Sequence, residues 1–336
     1  MNIQIQDTLL IKTPPEISGL TFRRFRDESD YAHMLAVING SKDADGIERS
    51  ETLEELQNNY QHLLNCDPYQ DVLFAEVDGK PVGYSRVFWE RLDEGIRVYN
   101  LFGFLLPEWR RKGIGTAMLH FNEARLRQIA LDHPNGEPRY FQSWAADTEI
   151  STRALLESQG YEPIRHGYHM VRDLSEPFPA APLPEGLEIR PVNADQVLAV
   201  IHAANEAFQD HWGNRPIADE EIEGWMKNPN FRPELWKVAW DGDQIAGSVQ
   251  NYYSPEENEE YERKRGYTEG ISTRRPWRRR GVASALIVES MKMFKAIGMT
   301  ETAHGVDTEN TSGALRLYQS LGYKVVKQES IYRKAM

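Results

Sequence analysis

The chain holds a single cysteine, Cys66, among 336 residues. That excludes an internal disulfide framework and a zinc site built from cysteines. No apolar run is long enough to span a bilayer. The opening stretch, MNIQIQDTLLIKTPPE, lacks a basic segment followed by an apolar core, so no signal peptide is expected. Positive charge is also scarce: 39 Lys and Arg stand against 51 Asp and Glu, a net charge of −12. Such a balance repels nucleic acid overall and suits cationic small molecules or simple solubility. These absences point to a cytoplasmic protein with no metal, no membrane and no nucleic-acid partner.

What is present is organised around Thr268 to Ala285, TEGISTRRPWRRRGVASA. A strand-like run, Ile271 to Thr273, enters a basic turn ending in Arg278, Arg279, Arg280, Gly281, Val282, Ala283 and Ser284. From Val282 the apolar residues Leu286, Ile287, Met291 and Phe294 recur at helical spacing. Strand, basic loop and helix in that order aim backbone N–H groups and a helix dipole at one spot, which suits a pyrophosphate. Gly281 and the small Ala283 let a ligand approach the backbone, and arginines add charge-assisted hydrogen bonds. Taken alone, the loop reads equally well as a solvated basic turn.

The chain repeats itself. Gly19-Leu20-Thr21-Phe22-Arg23 matches Gly186-Leu187-Glu188-Ile189-Arg190 at an offset of 167. Trp109-Arg110-Arg111-Lys112-Gly113-Ile114-Gly115 matches Trp277 to Ala283 at 168, and Gly160-Tyr161 matches Gly322-Tyr323 at 162. Two copies of one fold follow. Each copy reads as an opening strand, helical patterns, a hairpin with a turn at Asp78-Gly79 or Asp241-Gly242, and a strand feeding the basic loop and helix. A last strand, a helix ending in Gly-Tyr and a closing strand complete it. This alternation implies an α/β (α+β) sheet flanked by helices. The proline-rich run LSEPFPAAPLPEG places the boundaries at 1–174, a 175–186 linker and 187–336. The charged run Ser254 to Arg265 has no apolar face and reads as an exposed loop.

The basic loop, together with Val306 to Tyr323 (VDTENTSGALRLYQSLGY), resembles the GNAT superfamily of acyl-CoA-dependent N-acetyltransferases. Tandem members of this length, mycothiol synthase among them, resemble the layout, with the C-terminal half active; nothing in the residues points to the mycothiol substrate. The resemblance implies two GNAT-like domains, each a mixed, mostly antiparallel sheet. It implies acetyl-CoA as cosubstrate, with Arg278, Arg279, Arg280, Gly281, Val282, Ala283 and Ser284 on its pyrophosphate. Ile271 and Thr273 would offer strand groups to the pantetheine arm and an oxyanion donor, and Asn310 is a cofactor contact or a helix N-cap.

Tyr318 becomes the general acid by that resemblance. Glu269 is the base that strand periodicity favours, since it shares a face with Ile271 and Thr273. The family often carries its glutamate nearer the strand's start, where this chain has Tyr267; His304 and Asp307 are rivals. In the first copy the Trp-Arg-Arg alignment puts Leu101 at the place of Glu269, and the Gly-Tyr alignment puts Leu156 at that of Tyr318. Arg110, Arg111, Lys112, Gly113, Ile114 and Gly115 keep the loop, so the first copy is expected to be catalytically silent while able to hold a pyrophosphate. The expected reaction moves an acetyl group from acetyl-CoA to a primary amine, small molecule or peptide, by direct attack. The competing function is a non-catalytic acyl-CoA binding or sensing protein. The chain is expected as a monomer with an internal pseudo-dimer or as a homodimer.

Overall fold

A computed structural model describes residues 9, 11 and 14–336. The opening stretch read for a signal peptide lies for the most part outside them. The chain divides into two compact units, residues 1–164 with 330–336, and residues 165–329.

The first unit runs β1 (Leu20–Arg24), α1 (Asp30–Asp45), α2 (Leu53–Gln61), α3 (Pro68–Asp71), β2 (Val72–Val77), β3 (Lys80–Arg91), β4 (Arg97–Leu105), α4 (Ile114–Leu131), β5 (Arg139–Ala146) and α5 (Ile150–Ser158). Its strands lie in the order β1-β2-β3-β4-β5, antiparallel except for the parallel β4–β5 pair. Asp78 and Gly79, both at positive φ, make the two-residue turn between β2 and β3.

From Arg165 the second unit repeats the plan. It runs β6 (Glu162–Asp173), β7 (Glu188–Arg190), α6 (Val197–Phe208), α7 (Asp219–Met226), β8 (Lys237–Asp241), β9 (Gln244–Tyr252), α8 (Pro255–Glu260), β10 (Arg265–Thr273), α9 (Val282–Ala296), β11 (Glu301–Asp307) and α10 (Ala314–Ser320). β12 (Lys324–Ala335) follows, of which 324–329 belong to this unit. The order is β7-β8-β9-β10-β11-β6, with β10–β11 the parallel pair. Each unit is therefore a mostly antiparallel sheet with flanking helices. Leu286, Ile287, Met291 and Phe294 of α9 are buried against Ala239, Ala246 and Val249, each large side chain contributing about 1.5–3 kcal/mol by burial. Gly266 is where Phe294 lies on the sheet: a Cβ there would fall 2.3 Å from the ring.

The division differs from the expected break at 174–187, because β6 pairs along its length with β11, from Asp173↔Glu301 to Gly167↔Asp307. It therefore belongs with the second core. In exchange, the chain's end completes the first unit: the Met336 N–H donates to the Arg139 carbonyl at 3.1 Å, and Lys334 pairs with Glu123 at 2.8 Å. The proline-rich run packs Phe178, Ala181 and Leu183 against the second core rather than hanging free. The charged run at 254–265 is not a plain loop either. Ser254 caps α8 by accepting the Glu257 N–H, and the Asn258 amide holds Arg265 through its N–H and its carbonyl.

Candidate functional site

In the second unit β10 and β11 stay paired only from Arg265↔Glu301 to Tyr267↔Ala303. Beyond that they part, leaving a wedge. The half-buried Glu269 fills it, its Oε1 accepting the Gly305 N–H at 3.2 Å where a β10 carbonyl would otherwise have been. Burial pushes this carboxyl up to about 7, against the lowering effect of the Gly305 N–H and of His169. A carboxyl titrating near neutrality is suited to accept a proton at physiological pH.

Immediately after Glu269 the strand breaks register. A β-bulge separates Glu269↔Gln250 from Ser272↔Ser248, and Gly270 sits at φ +55°. A side chain there would be strained in φ and would meet Gln250 Cδ at 2.7 Å. The bulge takes residues 270–271 out of the regular ladder with β9. The sequence reading missed this feature; glycine inside a strand pattern was the available signal.

Tyr318, on α10, is buried, and its ring lies 4.0 Å from that of His304, centroid to centroid. Burial first, then the charge of Glu269, holds its phenol well above the ordinary value, so it is a neutral donor. Its hydroxyl has no hydrogen-bond partner among the described residues. His304 is buried between Tyr318 and Tyr323, its Nδ1 is 3.4 Å from Thr268 Oγ1, and burial lowers it to about 3. It stays neutral and packs between the two tyrosines. Asp307 is occupied by a bidentate pair with Arg165 at 2.6 and 2.9 Å.

The loop before α9 has the expected strand–turn–helix course. Arg279 and Gly281 adopt positive φ, +62° and +91°, and the first helical hydrogen bond runs from the Ala285 N–H to the Gly281 carbonyl. The N–H groups of Val282, Ala283 and Ser284 therefore have no helical acceptor, no side chain caps them, and the space over Gly281 is open. Arg279 and Arg280 are exposed. Arg278 is not a free cation: it donates to the Thr273 and Ala207 carbonyls and pairs with Asp210 at 2.8 Å. Asp210 is in turn lowered to about 2 by Arg275 and Arg278. Ile271 packs partly into the core, and Thr273 Oγ1 is buried without a partner among the described residues. Asn310 is not the cap of α10, which is Gly313; its Oδ1 accepts the Ser312 N–H at 2.7 Å.

The first unit reproduces the loop closely. Arg111 and Gly113 sit at φ +60° and +87°, and the Ala117 N–H to Gly113 carbonyl bond starts α4, leaving Ile114, Gly115 and Thr116 without helical acceptors. Arg110 donates to the Leu105 carbonyl and is bidentate to Asp45 at 2.6 and 2.8 Å, as Arg278 is tied to Thr273 and Asp210. Lys112 lies 4.6 Å over the Trp109 ring. A cavity of about 430 Å³ opens beside this loop, lined by Arg111, Gly113, Gly115, Ser143 and the buried Leu101 and Leu156. The helix ends confirm the pairing of Leu156 with Tyr318, since each accepts the N–H of the tyrosine in its Gly-Tyr stop, Tyr161 or Tyr323. β4 has no bulge: it pairs with β3 without a break from Arg97↔Arg91 to Leu105↔Gly83.

Among the described residues, no cluster of three or more His, Cys, Asp or Glu is placed to hold a metal, and no helix is long and apolar enough to cross a membrane. The profile of the acetyltransferase (GNAT) family matches residues 198–323, and that of an acetyltransferase (GNAT) domain matches 68–163. The chain is similar to a mycothiol acetyltransferase of Geodermatophilus obscurus, 27% identical over 92% of this chain and 96% of the relative. It is also similar to one of Catenulispora acidiphila, 30% identical over 43% of each. A GCN5-related N-acetyltransferase structure from Sphaerobacter thermophilus superposes with a TM-score of 0.72 at 26% identity, covering 96% of this chain and 97% of that one. A tandem GNAT protein from the clavulanic acid biosynthesis pathway shares the fold at a TM-score of 0.69 and 14% identity, covering 94% and 98%. With a GNAT match in each half, over residues 68–163 and 198–323, the chain belongs to the GNAT superfamily of N-acetyltransferases.

Proposed function

We propose that the second unit transfers an acetyl group from acetyl-CoA to a primary amine by direct attack, and that the first unit binds the cosubstrate without turning it over. The observation that carries this reading is a carboxyl near neutrality, Glu269, whose charge is felt by a neutral buried phenol, Tyr318, in the same unit. Val282, Ala283 and Ser284 N–H groups, with Arg279 and Arg280, fit a pyrophosphate. The cosubstrate supplies the acetyl thioester. Glu269 accepts the proton that the amine nitrogen loses, and Tyr318 gives one to the departing sulfur. Backbone N–H groups around the Gly270 bulge are offered to the carbonyl oxygen, where charge develops.

The first unit keeps the loop and a cavity but has leucines at both proton-carrying positions. The relatives named mycothiol acetyltransferase support acetyl transfer, and a small amine acceptor is the class adopted.

The test is release of free CoA from acetyl-CoA with a panel of spermidine, kanamycin, cysteine methyl ester and a lysine peptide. Acceptor-dependent release supports the reading. Tight acetyl-CoA binding with no release for any amine would favour a sensor, and no binding would overturn both.

A further inference from the structure

Glu269 is the start of a row of side chains that crosses the second unit on one face. Two residues past the Tyr267↔Ala303 pair, Glu269 on β10 stands beside Gly305 on β11, and Gly305 is the direct antiparallel partner of His169 on β6. Direct partners point to the same face of a sheet. His169 Nε2 in turn lies 3.4 Å from Glu329 Oε2 on β12. The row thus reads Glu269, nothing, His169, Glu329. Gly305 is exposed in mid-strand, and a Cβ built on it would meet no atom within 4 Å. The Glu269 and His169 backbones are two strands apart, with Gly305 on the strand between them. The space over Gly305 is open between them, and a water there would have the Glu269 carboxyl on one side and the His169 imidazole on the other.

We propose that His169, oriented by Glu329, receives the proton from Glu269 through one water above Gly305 and releases it to solvent. This rests on the assignment of Glu269 as base. A half-buried base that accepts a proton in each turnover has to lose it again. His169 and Glu329 are about half exposed, 49% and 47%, and so lie at the solvent end of the row. With Nε2–H donating to Glu329, the Nδ1 lone pair is the acceptor on the Glu269 side. The balance is simple. One proton leaves the amine for a Glu269 carboxylate oxygen, passes through water to His169 Nδ1, and the resulting imidazolium gives it to bulk water.

The charged groups around the pair agree. Glu329 first, and Glu269 with it, raise His169, while burial and Lys327 on β12 lower it. Glu269 senses His169 and Glu329, and its own charge reaches Tyr252, Tyr318 and Tyr323. An ion pair this exposed stabilises a fold little, so its place in the row is what calls for a role.

The test uses the full chain. With the best amine of the panel, His169→Asn is expected to lower kcat by about 10²-fold with acetyl-CoA affinity unchanged, and added imidazole to restore the rate. Glu329→Gln is expected to give a smaller loss in kcat and a shifted pH profile. Unchanged kcat in His169→Asn, or a loss that imidazole does not repair, overturns the relay. A Glu269→Gln variant of full activity would instead overturn the assignment of the base.

Imidazole ¹⁵N NMR decides independently of any acceptor. It is expected to show the Nε2–H tautomer of neutral His169, and a His169 titration that moves in Glu269→Gln. In Gly305→Val, which fills the gap, that movement is expected to be lost. An Nδ1–H tautomer, or coupling that survives Gly305→Val, contradicts the proposal.

Discussion

The two units share a loop and differ in a wedge. Arg110 and Arg278 make the same backbone contact, to the carbonyl that ends the preceding strand, and each is pinned by an aspartate. Both helices that follow start at a glycine in the left-handed region with free N–H groups. In the second unit the strand before the loop carries Glu269 and a bulge at Gly270; in the first, the same strand runs unbroken through Leu101. At the helix stop, the second unit has Tyr318 where the first has Leu156. What two copies of one fold retain in common is the basic turn that enters a helix at a left-handed glycine. The proposed chemistry falls at the few positions where the second unit differs, a bent strand and a tyrosine in place of a leucine.

The comparison can be broken most sharply at Tyr318. Tyr318→Phe removes the proton donor with little change in volume, and kcat is expected to fall by about 10²–10⁴ while acetyl-CoA binding, measured by calorimetry, stays. Glu269→Gln is expected to lower kcat by about 10². In the wild type, kcat rises with pH through about 7 as the carboxyl ionises, and that limb disappears in the variant. The same raised value has a consequence for stability. The folded state binds this proton more tightly than the unfolded chain, so stability present below the ordinary value of 4.5 is lost as pH rises through about 7. The gain in Tm from Glu269→Gln should therefore be larger at pH 8 than at pH 4.5, which thermal melts at the two values will check.

Gly270→Ala would strain the bulge and press on Gln250, lowering stability by about 1–3 kcal/mol in denaturant titrations and reducing kcat. Phe102, at the equivalent position of the unbent β4, is expected to tolerate Phe102→Leu with no loss of kcat. The smallest effects belong to the loop. Arg279→Ala or Arg280→Ala should raise KM for acetyl-CoA about tenfold with kcat kept, since their side chains are exposed. Arg278→Ala should instead cost stability, because its guanidinium holds two carbonyls and Asp210.

Much of this was legible before the structure. The repeat, the hairpin turns and the loop–helix entry follow from glycine placement and apolar spacing, which act locally. The exchange of closing strands was not, because β6 and the end of β12 carry no local mark of which sheet they join; pairing with β11, far along the chain, decides it for β6. The loop arginines were read as one cationic set. Only the fold brings Asp45 and Asp210 to the first of each, some 65 residues away in sequence. Glu269 was reachable from strand periodicity, but the amide that holds it comes from Gly305, across strands that have parted. That His304, a rival base in the sequence, lies buried between two tyrosines is visible only in the fold.

The most direct test is acetyl transfer by the double variant Glu269→Gln, Tyr318→Phe, with both loops intact, against wild type and the best amine of the panel. The account predicts two populations of bound acetyl-CoA, as in wild type, and transfer reduced to the rate without enzyme. Transfer that persists at a wild-type rate would place the chemistry outside the wedge of the second unit and contradict the account.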